Sequence, residues 1–600
     1  MQLTITATQL DRLHEWLVQD DEIERFAFLY CSERDGTLLV EAVDPVADED
    51  CAVQGRTGIA LDLESELDRL NDCLERGQVP ILVHSHPFAD LPGFSGQDHE
   101  MFDVYREWLG PLYPETPLGF AVVGRCGMDT TMFEQLGAAS RSPLTVEVIG
   151  GWQGEVELDV PTADRSLPDV DAERFDRSIR AFDETGQARL ADTHVGIVGV
   201  GGLGSMSAEQ LARLGVGELT VVDPDVVEPS NLPRIYGATE HHVGRPKVDV
   251  VEQHLWRVNP DVEVTTHRAR VQDVSEPALA DCDVLVGAVD RVTARSYLNE
   301  LAVRHLTYYL DAGVVIKTGT AEDATGDEAG DVTAELGVAQ LVVPGVNGCL
   351  SCLGRRDPER ARLERLSEEQ VKAEIDRGYV EGDVLAPQPA VTPLNGVVAA
   401  QVGRIVGKLV TGYDDPPDMV QYRGLADESS SIGTHRDAAC PVCGDDGMLG
   451  RGSRTPDVDL VGGAYGQDGP EPQESAAAGE RNEEPPAGAR SAAVAVDAAP
   501  DEDGGATVDA DAAADADADT AHADEEPGDE RDPDAAAAAA ERRDSGAARP
   551  SDDGAPEAAA TDGTAAPSRR PRRRESSAAD DDEEANWLEE QVRRYWWWQV

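Results

Sequence analysis

Apolar positions in the first 140 residues fall into short runs and helical spacings that predict one compact α/β domain. In two segments they recur every three or four positions, as on the buried face of an amphipathic helix. In three others they form short runs bounded by turn residues, as in strands. The predicted helices cover 10–17 and 61–74, and the predicted strands cover 26–31, 37–43 and 79–83. The prolines, glycines and acids of residues 141–171 predict a strand or two followed by a linker.

A second α/β block begins with the apolar, β-branched run 194–200, which is typical of a buried parallel strand. The elements that follow are the glycine turn Gly199-Val-Gly201-Gly202-Leu-Gly204, a helix over 203–214 and a strand over 219–222 that ends in Asp223. This order is typical of a dinucleotide-binding unit, in which the glycines let a phosphate approach a helix N-terminus and the acid binds ribose hydroxyls. The alternation continues with predicted helices over 247–258 and 397–409 and predicted strands over 262–266 and 284–289.

Polar residues beyond Asp223 distinguish this block from an ordinary NAD-binding fold, in which they would have no function. They are Asp225, Ser230, Asn231, Arg234, Lys247 and Asp290. In these motifs residues 170–445 resemble the ThiF/MoeB/HesA family, the adenylating domains related to ubiquitin-activating enzymes. The resemblance implies a Rossmann-like doubly wound domain, ATP and Mg²⁺ as cofactors, and transfer of AMP to the C-terminal glycine of a ubiquitin-like or sulfur-carrier β-grasp protein that ends in Gly-Gly.

The resemblance also implies a role for each matching residue. The nucleotide-binding set is Gly199, Gly201, Gly202, Gly204, Asp223, Asp225, Ser230, Asn231, Arg234, Lys247 and Asp290. In it Arg234 and Lys247 neutralise phosphate charge, and Asp290, at the end of a strand beside phosphate, suits Mg²⁺. Arg177 is expected to reach the ATP of a partner subunit, which implies a homodimer. The residues alone leave Asp225 equally suited to a structural role, and Arg295 suited to a helix-surface salt bridge or a phosphate contact.

A second set of chemistry-bearing residues follows the strand predicted over 79–83. His84 and His86 alternate on an extended segment and project the same way, and Asp98 can complete a three-ligand zinc site with an open position for water. Water on such a zinc becomes acidic enough to attack an amide at neutral pH, provided that a carboxylate accepts its proton. Ser95 is suited to donate a hydrogen bond to the developing oxyanion.

This second set resembles the JAMM (MPN+) metalloprotease motif, a distant glutamate followed by His-x-His and Ser-x-x-Asp. The resemblance implies an α/β JAMM domain that cleaves peptide or isopeptide bonds next to the C-terminus of ubiquitin-like proteins. Its glutamate matches Glu24 best, although Ala27 and Cys31 stand where the family often has glycine, which leaves Glu22 as an alternative. Two other interpretations remain: a metal-free scaffold domain, and Glu24 as a solvated acid at a strand edge.

Four of the nine cysteines form two Cys-x-x-Cys knuckles, Cys349-Leu-Ser-Cys352 and Cys440-Pro-Val-Cys443. They predict one closed, tetrahedral, structural zinc site, a pairing that depends partly on the ThiF resemblance. No cysteine lies between 353 and 439, the region where thioester-forming activating enzymes keep theirs. We therefore expect adenylation without a stable thioester on this protein.

The composition is extremely acidic, with a formal net charge of −66 over 600 residues and with Lys247, Lys317, Lys372 and Lys408 as the only lysines. Such a surface suits solubility in high salt and argues against nucleic-acid or anionic-membrane partners. Because a signal peptide and a membrane-spanning apolar run are both missing from the sequence, we expect a cytoplasmic protein.

The expected organisation is a JAMM/MPN+ domain over 1–140, a linker over 141–171, a ThiF-like domain over 172–445, a disordered Ala/Asp-rich acidic tail over 446–583 and a Trp-rich helix or docking peptide over 584–600. The expected function is adenylation of a carrier's C-terminal glycine coupled to zinc-dependent cleavage next to that glycine. The alternatives are a sulfur-carrier activator for cofactor or tRNA thiolation whose JAMM domain only trims, a conjugating and deconjugating enzyme, and a non-catalytic scaffold. A sulfurtransferase or a conjugating enzyme would be the further partner.

Overall fold

The computed structural model describes residues 1–56, 58–163, 166–318, 332–355, 357–377, 379–380 and 389–453. The predicted acidic tail lies outside the described residues from 454 onward, and so does the predicted Trp-rich peptide over 584–600. None of the helices within the described ranges has the length and apolar character needed to cross a membrane.

The N-terminal lobe, residues 1–163, is built on an eight-stranded mixed sheet with an apolar core on each face. Its strands are β1 (Gln2–Thr6), β2 (Phe26–Arg34), β3 (Thr37–Pro45), β4 (Cys51–Gln54), β5 (Ile59–Leu61), β6 (Val79–Ser85), β7 (Leu118–Val123), β8 (Met128–Phe133), β9 (Ser142–Pro143) and β10 (Thr145–Ile149), and its helices are α1 (Ala7–Leu17), α2 (Leu63–Glu75) and α3 (Gly96–Leu109). The sheet order is β10-β1-β3-β2-β6-β7-β8-β9, and β4 and β5 pair separately. The five elements predicted from the apolar spacings are therefore all present, with ends that differ by a few residues from the predicted ones.

The first nine residues of the range 141–171 contain two strands, β9 and β10, as the prediction of a strand or two before a linker expects. There β9 pairs with β8, and β10 pairs in parallel with β1 at the far edge of the same sheet. The partner of β10 lies at the start of the chain, so the pairing leaves no local signal beyond the strand itself. The N-terminal sheet therefore ends at Ile149.

The C-terminal lobe, residues 166–453, is built on a second eight-stranded sheet. Its strands are β11 (His194–Val198), β12 (Glu218–Val222), β13 (Glu263–His267), β14 (Val284–Gly287), β15 (Tyr308–Thr318), β16 (Val332–Val342), β17 (Met419–Arg423) and β18 (Glu428–Ile432). Its helices are α4 (Asp176–Ala191), α5 (Gly202–Leu214), α6 (Lys247–Val258), α7 (Glu276–Ala280), α8 (Val292–His305), α9 (Pro358–Leu363), α10 (Glu368–Asp376) and α11 (Thr392–Thr411). The predicted helix over 247–258 is confirmed at both ends.

The order of this sheet, β13-β12-β11-β14-β15-β16-β17-β18, confirms the doubly wound prediction for its parallel half. Strands β13, β12, β11, β14 and β15 are parallel, and the remaining three are antiparallel. From β11 the chain first adds strands on one side and then returns to add β14 on the other. The carboxyl ends of β11 and β14 therefore form the switch point at which open α/β sheets bind their ligands.

Apolar contacts and a hydrogen bond join the two lobes. Leu39 and Ile149 of the N-terminal lobe belong to the main core of the C-terminal lobe. Trp152 stacks on Tyr308 with ring centroids 5.9 Å apart, and the Gly150 amide donates to the Tyr308 hydroxyl at 3.1 Å. Leu39 and Ile149 are buried and the aromatic pair is half-buried, so the lobes pack directly against each other.

Candidate nucleotide site and metal sites

The glycine turn between β11 and α5 combines tight backbone packing with one open position. Gly199 has φ +86°, and a Cβ on Gly204 would lie 1.8 Å from the Gly199 carbonyl oxygen, so both positions require glycine. A Cβ on Gly201 would meet nothing within 4 Å. The open space therefore lies over the N-terminus of α5, where amide groups and the helix dipole favour an anion.

Asp223, at the end of β12, is held against this turn. Its Oδ2 accepts a hydrogen bond from the Val200 amide and its Oδ1 accepts one from the Asp225 amide, both at 2.9 Å. The Lys247 ammonium lies 2.8 Å from Asp225 Oδ2 and 3.8 Å from Asp223 Oδ1. Burial raises the pKa of Asp223, and the charge of Lys247 opposes that rise. Asp225 thus forms an ion pair with Lys247, in agreement with the structural role that was one of its two predicted alternatives. Its carboxylate nevertheless remains exposed.

Arg234 and Asn395 lie over the glycine turn, and Asn395 is not among the residues predicted for this site. A Cβ on Gly202 would meet Arg234 Cδ at 3.0 Å and Asn395 Nδ2 at 2.4 Å. Asn395 is 2% exposed and lies in the first turn of α11, almost 200 positions from the glycine turn, and no motif marks it. We therefore add Asn395 to the candidate nucleotide-binding residues.

Asn231 and Ser230 shape the loop that carries Arg234. Asn231 Oδ1 accepts from the Glu228 amide at 3.1 Å, and Asn231 Nδ2 donates to Ser230 Oγ at 3.3 Å. Arg234 Nη1 donates to the Ser230 carbonyl at 3.1 Å. The two polar side chains therefore stabilise the loop itself, and their contact with a nucleotide stays a prediction.

Asp290 and Arg295 flank the start of α8. Asp290 is exposed just beyond β14, at the predicted edge of the sheet. The expectation of a surface salt bridge for Arg295 is wrong, because this arginine is 8% exposed and its Nε donates to the Val289 carbonyl at 3.0 Å. Its Nε also lies 3.6 Å from Oδ1 of the buried Asp311.

Arg177 lies apart from this site within its own chain. Its side chain is 94% exposed at the start of α4, with Asp176 3.7 Å away. An exposed arginine is free to reach a second subunit, and its predicted role in a homodimer stays a prediction.

The four cysteines of the two knuckles meet, with their sulfur atoms all within 4.8 Å of one another. The Cys349–Cys352, Cys349–Cys440 and Cys352–Cys443 sulfur pairs are separated by 3.8, 3.8 and 3.3 Å. A tetrahedral zinc with Zn–S bonds of about 2.3 Å requires sulfur pairs about 3.8 Å apart. The arrangement therefore fits the predicted structural zinc.

His84, His86 and Asp98 also meet, with ligand atoms within 4.8 Å of one another. His84 Nε2 lies 3.1 Å from Asp98 Oδ1 but makes no hydrogen bond, although it is fully buried. Burial and the neighbouring His84 lower the pKa of His86, which favours the neutral ring that a metal requires. A buried histidine nitrogen without a hydrogen-bond partner, beside a second histidine and a carboxylate, fits a zinc ligand set.

Local structure sets the orientation of Asp98. Ser95 is the N-cap of α3: its Oγ accepts from the Asp98 amide at 3.3 Å, and Asp98 Oδ2 accepts from the Ser95 amide at 2.5 Å. This capping box aims the second carboxylate oxygen at His84. The Ser95 hydroxyl proton remains available for a donor role, which stays a prediction.

Glu24 lies beside the histidine cluster, two residues before Phe26, which pairs with His84 across β2 and β6. Its side chain is 4% exposed, so the interpretation of a solvated strand-edge acid is wrong. Burial and the charge of Asp98 raise the pKa of Glu24 to about 7. Glu22 instead faces solvent in ion pairs with arginines, so the geometry favours Glu24 as the acid of this site.

Residues 175–442 match the ThiF family model. The chain is 30% identical over 283 residues to the molybdopterin-synthase adenylyltransferase of Escherichia coli strain K12, an alignment that covers 46% of this chain and 98% of that protein. The chain belongs to the ThiF family. Within the family it is also similar to the sulfur carrier protein ThiS adenylyltransferase of Escherichia coli, with 29% identity over 46% of this chain and 97% of that protein. The SAMP-activating enzyme E1 of Haloferax volcanii is 30% identical over 47% of this chain and 93% of that protein.

Membership of the ThiF family covers the C-terminal lobe and the nucleotide site described above. The N-terminal lobe with its histidine cluster lies before the matched residues, so its resemblance to JAMM proteins stays a prediction. The ThiF-family lobe contains the four-cysteine cluster, whose last cysteine lies one residue beyond the matched range.

Proposed function

We propose that the C-terminal lobe uses MgATP to adenylate the C-terminal glycine of a ubiquitin-like or sulfur-carrier protein. The observation that carries this proposal is the open space over Gly201 at the switch point of the sheet. Arg234 borders this space, and Lys247, paired with Asp225, lies at its acidic edge. A helix N-terminus with cationic side chains beside it suits a triphosphate. The names of the related ThiF-family adenylyltransferases support AMP transfer to a carrier protein.

In the proposed reaction a carboxylate oxygen of the carrier attacks the α-phosphorus, and the bond to the leaving pyrophosphate breaks. Asp223 binds the ribose, oriented by the two amides that it already accepts from. Lys247 exchanges its Asp225 partner for phosphate oxygens, and Arg234 neutralises charge from the other side of the turn. Arg177 of a second subunit adds a further cation in a homodimer. Asp290 would hold Mg²⁺, and the bound ion would supply charge neutralisation for the leaving group.

Pyrophosphate exchange tests this proposal. The full chain, in high salt with MgATP and a host β-grasp protein ending in Gly-Gly, should exchange labelled pyrophosphate into ATP. Lys247→Ala should lower the exchange rate at least 100-fold, because a preorganised cation on the phosphates is removed. Lys408→Ala is the matched control, since this lysine lies on α11 and pairs with Asp414 just beyond the end of that helix. Full exchange by Lys247→Ala would overturn the assignment of the site.

The adenylate is expected to pass to a sulfur donor or to a conjugating enzyme without a thioester on this chain. The sequence between 353 and 439 contains no cysteine. Cys282, elsewhere in the lobe, is 3% exposed and burial raises its thiol pKa, which keeps it a poor nucleophile. Activation of a sulfur carrier and activation of a protein modifier both fit these facts.

We propose a second activity for the N-terminal lobe, zinc-dependent cleavage next to the same glycine, favoured by the buried histidine cluster with Glu24 beside it. His84, His86 and Asp98 would hold the zinc. A bound zinc supplies an acidified water for attack on an amide. Glu24 accepts a proton and returns it to the leaving amine, and the Ser95 hydroxyl donates to the oxyanion. The two lobes would then trim and activate one carrier.

A carrier extended beyond its Gly-Gly tests the second activity. Cleavage at the glycine should be lost in Glu24→Gln and on chelation of zinc, and it should persist in the matched variant Glu22→Gln. Cleavage that survives Glu24→Gln would contradict the assignment. Low zinc occupancy at the histidine cluster together with failure to bind ATP would favour the scaffold alternative.

A further inference from the structure

The first turn of α8 is capped by a carboxylate from a distant part of the chain. Glu364, just after α9, accepts from the Val292 amide through Oε1 and from the Thr293 amide through Oε2, both at 3.0 Å. Its Oε2 also accepts from the Thr293 hydroxyl at 2.7 Å. The helix's own N-cap residue, Arg291, makes no side-chain cap. Glu364 therefore replaces the local cap from 71 residues away.

Two features make this contact stiff. Both carboxylate oxygens are engaged by consecutive amides, which fixes the carboxylate plane against the helix end, and the negative charge is favoured by the helix dipole. The Glu364 side chain is 4% exposed, and Arg360 Nε lies 3.5 Å from its Oε1. A buried charge held by three hydrogen bonds is costly to disturb.

Asp290 lies directly before the N-cap residue of the helix whose first turn Glu364 caps. On the other side of Asp290, the Val289 carbonyl accepts from Arg295 Nε at 3.0 Å. The backbone is therefore fixed on both sides of an exposed carboxylate that itself has no such anchor among the contacts described. Arg295 belongs to α8 itself, whereas Glu364 comes from the segment 357–377, which contains α9 and α10.

We propose that Glu364 is a positioning residue for the Mg²⁺ site: it fixes the first turn of α8 so that Asp290 faces the nucleotide. This inference depends on the proposed adenylation function, because Asp290 has a role only when MgATP binds. Glu364 acts through Asp290 and does not touch the nucleotide itself. The segment 357–377 is thereby tied to the metal-binding turn.

A double-mutant cycle on the full chain tests this inference. The measured quantity is the ATP dissociation constant in EDTA divided by that in Mg²⁺, obtained by calorimetry with ATP alone. Glu364→Gln should lower this ratio about 10-fold or more, as loss of an orienting partner does at metal sites. A glutamine side chain has the same shape, but its NH₂ group donates and cannot accept a hydrogen bond. In Glu364→Gln this group would face a backbone amide of α8, so one hydrogen bond becomes a repulsive contact. Glu374→Gln is the matched control, because Glu374 pairs with Arg362 on the same segment.

The decisive comparison is made in the Asp290→Asn background. If Glu364 acts through Asp290, adding Glu364→Gln there should change the ratio no further. Amide hydrogen exchange at Val292 and Thr293 should accelerate in Glu364→Gln, which confirms that the cap was lost while the rest of the lobe stays protected. Should Glu364→Gln fail to fold, Glu364→Asp, with the same charge and a shorter reach, takes its place.

An unchanged Mg²⁺ ratio in a folded Glu364→Gln, with faster exchange at α8, would overturn the inference and leave the proposed function intact. A further 10-fold loss in the Asp290→Asn background would also overturn it, because Glu364 would then act independently of Asp290. Wild-type protein that fails to bind ATP would instead overturn the proposed function, and this inference with it.

Discussion

Two glycines of the turn between β11 and α5 are expected to respond in opposite ways to the same substitution. Gly201→Ala adds a methyl group where nothing lies within 4 Å, so the ligand-free fold accommodates it. Gly204→Ala adds one 1.8 Å from the Gly199 carbonyl oxygen. The first change should therefore impair nucleotide binding without destabilising the fold, and the second should destabilise the fold itself.

The magnitudes follow from these distances. A Cβ atom tolerates neighbours no closer than 3.0 Å, so Gly204→Ala must displace the Gly199 carbonyl by at least 3.0 − 1.8 = 1.2 Å. Forced overpacking of this kind costs about 1–3 kcal/mol or more. Gly201→Ala should change the free energy of unfolding by no more than about 1 kcal/mol. It fills the space in which a phosphate would approach the α5 amides, so the stabilisation by ligand, about 2.7 kcal/mol at 100 times Kd, should be lost.

Thermal unfolding with and without MgATP measures both effects. Wild type should gain stability with MgATP, Gly201→Ala should match ligand-free wild type in both conditions, and Gly204→Ala should melt earlier in both. A full MgATP shift in Gly201→Ala would refute the placement of the phosphates. A Gly204→Ala protein as stable as wild type would refute the packing argument.

Two further predictions concern the zinc site and the ion pairs of Glu276 between α7 and α8. Cys440→Ser should lower the zinc content, measured by elemental analysis, by one equivalent and should lower Tm. Cys126→Ser, which changes an exposed free thiol, should leave the zinc content and Tm unchanged. Equal zinc content in the two variants would contradict the four-cysteine assignment. Burial raises the pKa of Glu276, but hydrogen bonds from His305 and Arg304 outweigh it and lower the pKa to about 2. Because this pKa is depressed, Glu276 stabilises the fold above its ordinary pKa of about 4.5, and that contribution disappears as pH falls toward 2. Glu276→Gln should therefore cost about 2 kcal/mol at pH 7 in urea unfolding, after a discount for partial exposure, and progressively less below pH 4.5; a pH-independent difference would contradict the linkage.

The sequence predicts the elements and the metal clusters well where their signals are local. The helix over 247–258, the glycine turn and the histidine pair each depend on residues close together in the chain. The pairing of the two cysteine knuckles required the family resemblance, since 87 residues lie between Cys352 and Cys440.

Long-range polar contacts were beyond prediction because no periodicity or motif marks them. Glu364 lies among charged residues of an amphipathic segment, and only the fold brings it to α8. Arg295 similarly contacts Asp311, which is buried between the apolar residues Leu310 and Ala312 of β15. The apolar contact between the two lobes, with Trp152 on Tyr308, joins residues whose spacing carries no signal.

Intact-mass spectrometry of a carrier protein tests the central claim most directly. A host β-grasp protein with residues after its Gly-Gly is incubated with the full chain and MgATP in high salt, and the reaction is quenched in acid. The account predicts loss of the extension followed by an adduct of the mass of AMP on the trimmed carrier, with Asp290→Ala removing only the adduct and His84→Ala removing the trimming. The opposite result is a carrier that already ends in Gly-Gly but never gains the mass of AMP, although the wild-type protein is folded and contains zinc. That result would contradict the claim that the C-terminal lobe adenylates a C-terminal glycine.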